Sequence, residues 1–78
     1  MTIKDIRDII DNVEIKNRED YEGLYNVCYK ISNKTNNNTF LDIFIGGILH
    51  ETNAYELKTI LLDKVNELTS AKGVMNND

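Results

Sequence analysis

The chain has 78 residues, of which 13 are acidic and 9 basic, and its formal net charge is −4. This acidic balance disfavours nucleic-acid binding, which depends on Lys and Arg neutralising phosphates. Cys28 is the single cysteine, which excludes a disulfide within the chain, and no apolar run approaches the roughly 20 residues that cross a bilayer. We expect one cytoplasmic domain over residues 1–73 and a disordered tail over residues 74–78.

The first predicted element is a helix from Thr2 to Asn12. Thr2 and Asp5 form a capping pair, because side chains three residues apart can bond the free amides of a first helical turn. Isoleucines then recur at spacings of three and four residues, which places them on one side of a helix. Val13 to Lys16 is predicted as a short strand, and Asn17 to Gly23 as a charged connection.

The segment Leu24 to Ser32 supports two interpretations. Its aromatic and β-branched residues alternate as in a half-buried strand, but its apolar residues also fall on one side of a helix. The asparagine-rich residues 33–38 that follow are typical of a loop, and Thr39 to Ile45 is rich in residues that favour strands. Strand, loop and strand predict a β-hairpin.

Two adjacent glycines, Gly46 and Gly47, favour the hairpin as well, because a glycine pair inside a helix costs roughly 2 kcal/mol relative to alanine. A helical interpretation stays open, since Thr39 and Asp42 form a second capping pair, with Phe40, Leu41 and Phe44 on one face. At the end of a strand, the glycines would instead permit a bend.

The last predicted element is a long amphipathic helix from Asn53 to Ser70. Asn53 caps its start together with Glu56, and Gly73 lies where a left-handed residue could end it. The predicted apolar stripe consists of Leu57, Ile60, Leu61, Val65 and Leu68. Together these elements predict an α+β fold of two layers, with both helices on one face of a small antiparallel sheet. The alternative is an all-α four-helix bundle.

The chain shows no constellation of residues that predicts an enzyme. Cys28 and His50 are a single thiol and a single imidazole, and nothing in their spacing brings them together. One His and one Cys cannot form a structural zinc site, and Asp5, Asp8 and Asp11 scatter around a helix. We therefore expect neither a metal nor a cofactor.

Tyrosine is the strongest positive signal, because it provides a large contact area at a small cost in conformational entropy. We predict a protein-binding site from tyrosines and from the acidic residues beside them: Tyr21, Tyr25, Tyr29, Glu19, Asp20 and Glu22. A homodimer is also expected, since so small a domain leaves apolar surface uncovered.

The size, acidity and mixed helix–sheet composition resemble those of small acidic phage inhibitors, including some anti-CRISPR proteins. This is a resemblance of general type, without a shared motif. It implies a non-enzymatic regulator or inhibitor encoded by a phage or mobile element, and the abundance of Asn, Ile and Lys is typical of an AT-rich genome. The alternative is a small nucleic-acid-binding or transcriptional regulatory protein that acts as a dimer, and the charge makes direct binding to nucleic acid the weaker prediction.

Overall fold

The structure, a computed structural model, describes the backbone of residues 1–76 and the side chains of residues 1–70. It consists of four helices: α1 at Ile3–Asp11, α2 at Glu22–Thr35, α3 at Thr39–Leu49 and α4 at Ala54–Asn76. No strand occurs among residues 1–76. The predicted α+β fold with an antiparallel sheet is therefore wrong, and the chain adopts a helical, bundle-like fold.

The two segments predicted as hairpin strands lie in α2 and α3. In α2 the alternating pattern coincided with a helical one, and burial distinguishes them. Leu24, Cys28 and Ile31, spaced by four and three residues, are fully or almost fully buried, as one side of a helix requires. The asparagine-rich segment joins two helices, and Asn36 ends α2 with a left-handed φ of 56°. The predicted strand from Val13 to Lys16 belongs to the irregular connection between α1 and α2.

The glycine pair lies inside α3 because one of the two glycines is a packing site. A Cβ atom built on Gly47 would lie 2.6 Å from Cδ1 of Leu57, which is fully buried on α4. At Gly46 no atom lies within 4 Å of such a Cβ. Close approach of α3 to α4 thus compensates for part of the intrinsic cost of glycine in a helix.

The predicted starts of α1 and α4 are confirmed, with both hydrogen bonds of the capping pair at α1 and the Asn53 hydrogen bond at α4. Thr2 Oγ1 accepts a hydrogen bond from the Asp5 amide at 3.1 Å, and Asp5 Oδ2 accepts one from the Thr2 amide at 3.0 Å. Asn53 Oδ1 accepts one from the Glu56 amide at 2.9 Å. These caps fix where α1 and α4 begin.

The end of the last helix differs from the prediction. Gly73, the predicted stop, lies within α4, which extends to Asn76. Ile60, which the predicted stripe included, is exposed, whereas Leu57, Leu61 and Val65 are fully buried. The disordered tail over residues 74–78 stays a prediction, and its last two residues lie outside those that the structure describes.

One apolar core joins all four helices. α1 packs mainly on α4, and α2 packs mainly on α3. Among the described side chains, the buried apolar residues are Ile6, Ile10, Leu24, Cys28, Ile31, Phe40, Phe44, Ala54, Leu57, Leu61 and Val65. In the part of the chain that the structure describes, none of the helices has the length and apolar character needed to cross a membrane.

Candidate protein-binding face

Tyr21 is engaged within the fold. Its hydroxyl donates a hydrogen bond to the Thr52 carbonyl at 2.7 Å, and its side chain is half-buried. Its ring meets that of Phe44 edge-on, with 6.4 Å between the ring centroids. These contacts tie the start of α2 to α3 and to the connection that follows α3. Tyr21 therefore stabilises the fold, although the sequence predicted it as a binding residue.

Tyr25 and Tyr29 lie one turn apart on the outside of α2. Their side chains are 47% and 51% exposed, and their ring centroids are 6.1 Å apart. Tyr25 also approaches Phe44 of α3, with 5.8 Å between the ring centroids. The two tyrosines consequently form an open aromatic pair at the border between α2 and α3.

Three apolar residues of α3 continue this surface. Leu41, Ile45 and Ile48 are spaced by four and three residues, so they lie along one side of the helix. Leu41 is partly buried, while Ile45 and Ile48 are 47% and 40% exposed. The contact of Phe44 with Tyr25 shows which side of α3 turns toward α2. Helical geometry places Leu41 and Ile48 next to Phe44 on that side, beside the two tyrosines.

We call this surface the tyrosine–isoleucine face. It consists of Tyr25, Tyr29, Leu41, Ile45 and Ile48. All five side chains are uncharged, and both helices that carry them are anchored in the core by other residues, such as Leu24 and Cys28 on α2 and Phe40 on α3. A rigid apolar surface of this kind, bordered by polar residues, is typical of protein–protein contact sites.

The predicted acidic residues divide in the same way as the tyrosines. Asp20 Oδ2 accepts a hydrogen bond from the Lys16 amide at 3.0 Å and so shapes the connection before α2. Glu19 is exposed in that connection. Glu22 is exposed in the first turn of α2, three residues before Tyr25 and on the same side of the helix. The structure thus joins Glu22 to the rim of the face.

Sequence reasoning missed the contribution of α3. Leu41 and Ile45 fall in the segment predicted as a strand, and Ile48 follows the predicted bend, so the strand prediction hides the side that they share on a helix. A signal was nevertheless present, because the only charged residue of α3 is Asp42. A helix that is apolar nearly all round has more apolar surface than one core can cover.

Cys28 and His50 lie in different surroundings, one in the core and one at the exposed end of α3. Cys28 is fully buried in the core, and burial raises the pKa of its thiol to about 12. The thiol therefore keeps its proton at neutral pH, whereas the thiolate is the reactive form of cysteine. His50 is an exposed residue at the end of α3. Among the residues described, no three His, Cys, Asp or Glu side chains come together as a metal site would require.

An apolar cavity of about 150 Å³ opens at one end of the bundle, between Ile6, Phe40 and Leu68. The polar side chains at its rim are already bonded within the fold. The Thr35 hydroxyl donates to the Ile31 carbonyl, and the Thr39 hydroxyl to the side chain of Asn37. The cavity thus lacks the convergent free polar groups that orient a small ligand.

The tyrosine–isoleucine face is accordingly the strongest candidate site on the described residues. Comparison of the chain with protein-family models, with curated proteins and with solved structures found no match. The function is therefore inferred from the face and its surroundings.

Proposed function

We propose that this chain is a small non-enzymatic regulator or inhibitor that binds another protein through its tyrosine–isoleucine face. The observation that carries the proposal is the exposure of four large side chains on two adjacent, anchored helices. Tyrosines provide contact area with few rotatable bonds, and residues anchored on helices lose little freedom when they bind.

The charges at the rim favour a particular kind of partner. Glu22 lies at the end of the face where α2 begins, and Glu19 is exposed just before it. A partner surface with an apolar centre and Lys or Arg at its edge complements this arrangement, which increases the rate of encounter and fixes orientation.

The inhibitor type predicted from the sequence has less support than the binding role. The resemblance to small acidic phage inhibitors depended in part on a mixed helix–sheet composition, whereas residues 1–76 are helical and irregular. The remaining support for an origin in a phage or mobile element is the small size and acidity of the chain.

The nucleic-acid alternative gains no support from the surface of α4, which would be the reading helix in an all-helical fold. Glu56, Asp63 and Glu67 are exposed along it, and carboxylates repel phosphates. We therefore do not adopt this alternative. Binding to DNA that weakens steeply with added salt would favour it.

The proposal is tested by affinity capture with matched variants. The immobilised chain and its Tyr25→Ala/Tyr29→Ala variant are exposed to a lysate of a low-GC bacterium, with Tyr55→Ala as the control. Tyr55 is similarly exposed but lies on α4, outside the face. We expect a protein that the wild type and Tyr55→Ala retain and the double variant loses.

Circular dichroism and thermal melting show whether the two variants are folded like the wild type, so that a loss of binding is not a loss of fold. Exposed substitutions change stability by roughly 0.5 kcal/mol or less, so all three proteins should melt at similar temperatures. Retention of the same proteins by the double variant would contradict the proposal. So would a loss of binding that occurs equally with Tyr55→Ala.

A further inference from the structure

We propose that a second copy of this chain packs against the tyrosine–isoleucine face, so that the protein is a two-fold symmetric dimer joined face to face. The inference rests on the proposed function only for the location of the face. The dimer and the partner use the same face, so a second copy occupies it until a partner displaces that copy. The test uses the purified chain alone, so the dimer and the partner can fail separately.

The first argument is the area of the face. Its exposed side chains leave roughly 500 Å² of mostly apolar surface uncovered when Leu49 is included, which is 76% exposed and lies one helical turn after Ile45. Two such surfaces packed together bury roughly 1,000 Å², which is about the lower limit for a specific interface. The predicted dimer is therefore reversible, with a dissociation constant of roughly 1 to 100 µM.

The second argument is the distribution of charge. The five side chains of the face are uncharged, so a two-fold axis through its centre sets no carboxylate against another there, and Glu22 lies at the rim. Other surfaces carry exposed carboxylates, such as Asp8 and Asp11 on α1 and Glu56 and Asp63 on α4. Contact between two copies through those surfaces would set carboxylates against each other in a chain whose net charge is already −4.

The third argument is the composition of α3. Phe40, Phe44 and Gly47 cover the core with one side of this helix, while Ile45 and Ile48 are exposed on another. Asp42 is its single charged residue. A helix that is apolar nearly all round is typical of a helix covered on both sides. Within one chain, only the side of α3 that packs on the core is covered. In the dimer, the second copy covers the side that carries Ile45 and Ile48.

Sedimentation of the wild type from roughly 1 to 500 µM tests the dimer, since this range brackets the expected dissociation constant. We expect the mass to rise from 9.0 kDa toward twice that value. Ile45→Glu places a carboxylate in the interface and should weaken association by at least about 100-fold. Ile60→Glu is the matched control, because Ile60 is comparably exposed on α4 and lies outside the face.

Two further measurements distinguish a weakened interface from a misfolded variant. Ile48→Ser removes apolar area without adding charge and should weaken association while the helical signal is kept. The melting temperature of the wild type should rise with protein concentration, and that of Ile45→Glu should not. A wild type that stays at 9.0 kDa at every concentration overturns the inference. Equal dissociation of Ile60→Glu and Ile45→Glu overturns it as well. Either result leaves the capture experiment with Tyr25→Ala/Tyr29→Ala to decide the proposed function.

Discussion

At the scale of single residues, the neighbouring glycines of α3 have opposite surroundings. Gly46 has open space where a Cβ would point, whereas a Cβ on Gly47 would lie 2.6 Å from Cδ1 and 3.1 Å from Cδ2 of Leu57. Leu57 is fully buried, so its side chain can move away only by displacing other core atoms. One glycine is thus exchangeable and the other is required by packing.

We expect Gly46→Ala to raise the free energy of unfolding by about 0.5 to 1 kcal/mol, because alanine is the better helix former. Gly47→Ala gains the same propensity but overpacks the contact with Leu57, and should lower it by about 1 to 2 kcal/mol. Urea unfolding followed by circular dichroism measures both. Similar shifts for the two variants would show that α3 and α4 do not meet closely at Gly47.

The buried thiol of Cys28 makes stability depend on pH. Burial raises its pKa from 9.0 to about 12 in the folded chain. Below pH 9 both states keep the proton, and the thiol adds no pH dependence. Between pH 9 and 12 the unfolded chain releases the proton that the folded chain keeps, so the free energy of unfolding falls as the pH rises.

We therefore expect the stability of the wild type to fall more steeply above pH 9 than that of Cys28→Ala. Lysines and tyrosines titrate in both proteins, so the difference between the two slopes isolates the thiol. Urea unfolding at a series of pH values from neutral upward measures it. Parallel curves would contradict the burial of this side chain.

At the scale of elements, two helix ends require left-handed backbone. Asn36 ends α2 with a φ of 56°, and Glu51, just after α3, has a φ of 58°. The Thr52 amide donates to the Gly47 carbonyl at 2.9 Å and the Glu51 amide to the Ile48 carbonyl at 3.1 Å. This is the Schellman arrangement, in which glycine is the favoured residue at the position of Glu51.

Glu51→Gly is expected to stabilise the chain by about 1 kcal/mol, because glycine adopts a positive φ without steric cost. Asn36→Gly is the matched comparison and should gain less, since asparagine tolerates the left-handed region better than glutamate does. Thermal melting of both variants measures the difference. A lower melting temperature for Glu51→Gly would mean that its side chain makes contacts outweighing the strain.

The starts of α1 and α4 could be predicted from the sequence because their chemistry is local, whereas α2 and α3 begin without a side-chain cap. The Thr2–Asp5 and Asn53–Glu56 hydrogen bonds span three residues each, so the pattern and the structure coincide. The identity of α2 and α3 could not be predicted in this way. Their apolar residues fit the two-residue period of a strand as well as the 3.6-residue period of a helix. Contacts with residues distant in sequence select the helix, such as that of Gly47 with Leu57.

The candidate face shows the same limit. Tyr25 and Tyr29 could be selected by residue type, because exposure of some tyrosines follows from their number in so small a chain. Tyr21 could not be separated from them, since its hydrogen-bond partner Thr52 is 31 residues away. The α3 residues of the face could be predicted only if their segment was known to be a helix.

At the scale of the whole molecule, the side chain of Lys58 on α4 bonds the backbone at the end of α1. The Nζ atom of Lys58 donates to the Asp11 carbonyl at 2.9 Å and to the Val13 carbonyl at 2.8 Å. These carbonyls lie at and just beyond the end of α1, where a cation also offsets the negative end of the helix dipole. Lys58 therefore holds α1 in place on α4 and so closes the core over Ile10.

Lys58→Met keeps most of the aliphatic stem and removes the ammonium, so it should lower the free energy of unfolding by about 1 to 2 kcal/mol. Lys64→Met is the control: its ammonium pairs at 3.3 Å with Glu67, a surface contact within α4. Its loss should cost about 0.5 kcal/mol or less. Hydrogen exchange locates the effect, since Lys58→Met should speed exchange in α1 more than in α2 and α3. If the two variants lost equal stability and α1 exchanged no faster, the packing of α1 would depend on its isoleucines and on the Arg7 hydrogen bonds to Asn66 and Thr69 instead.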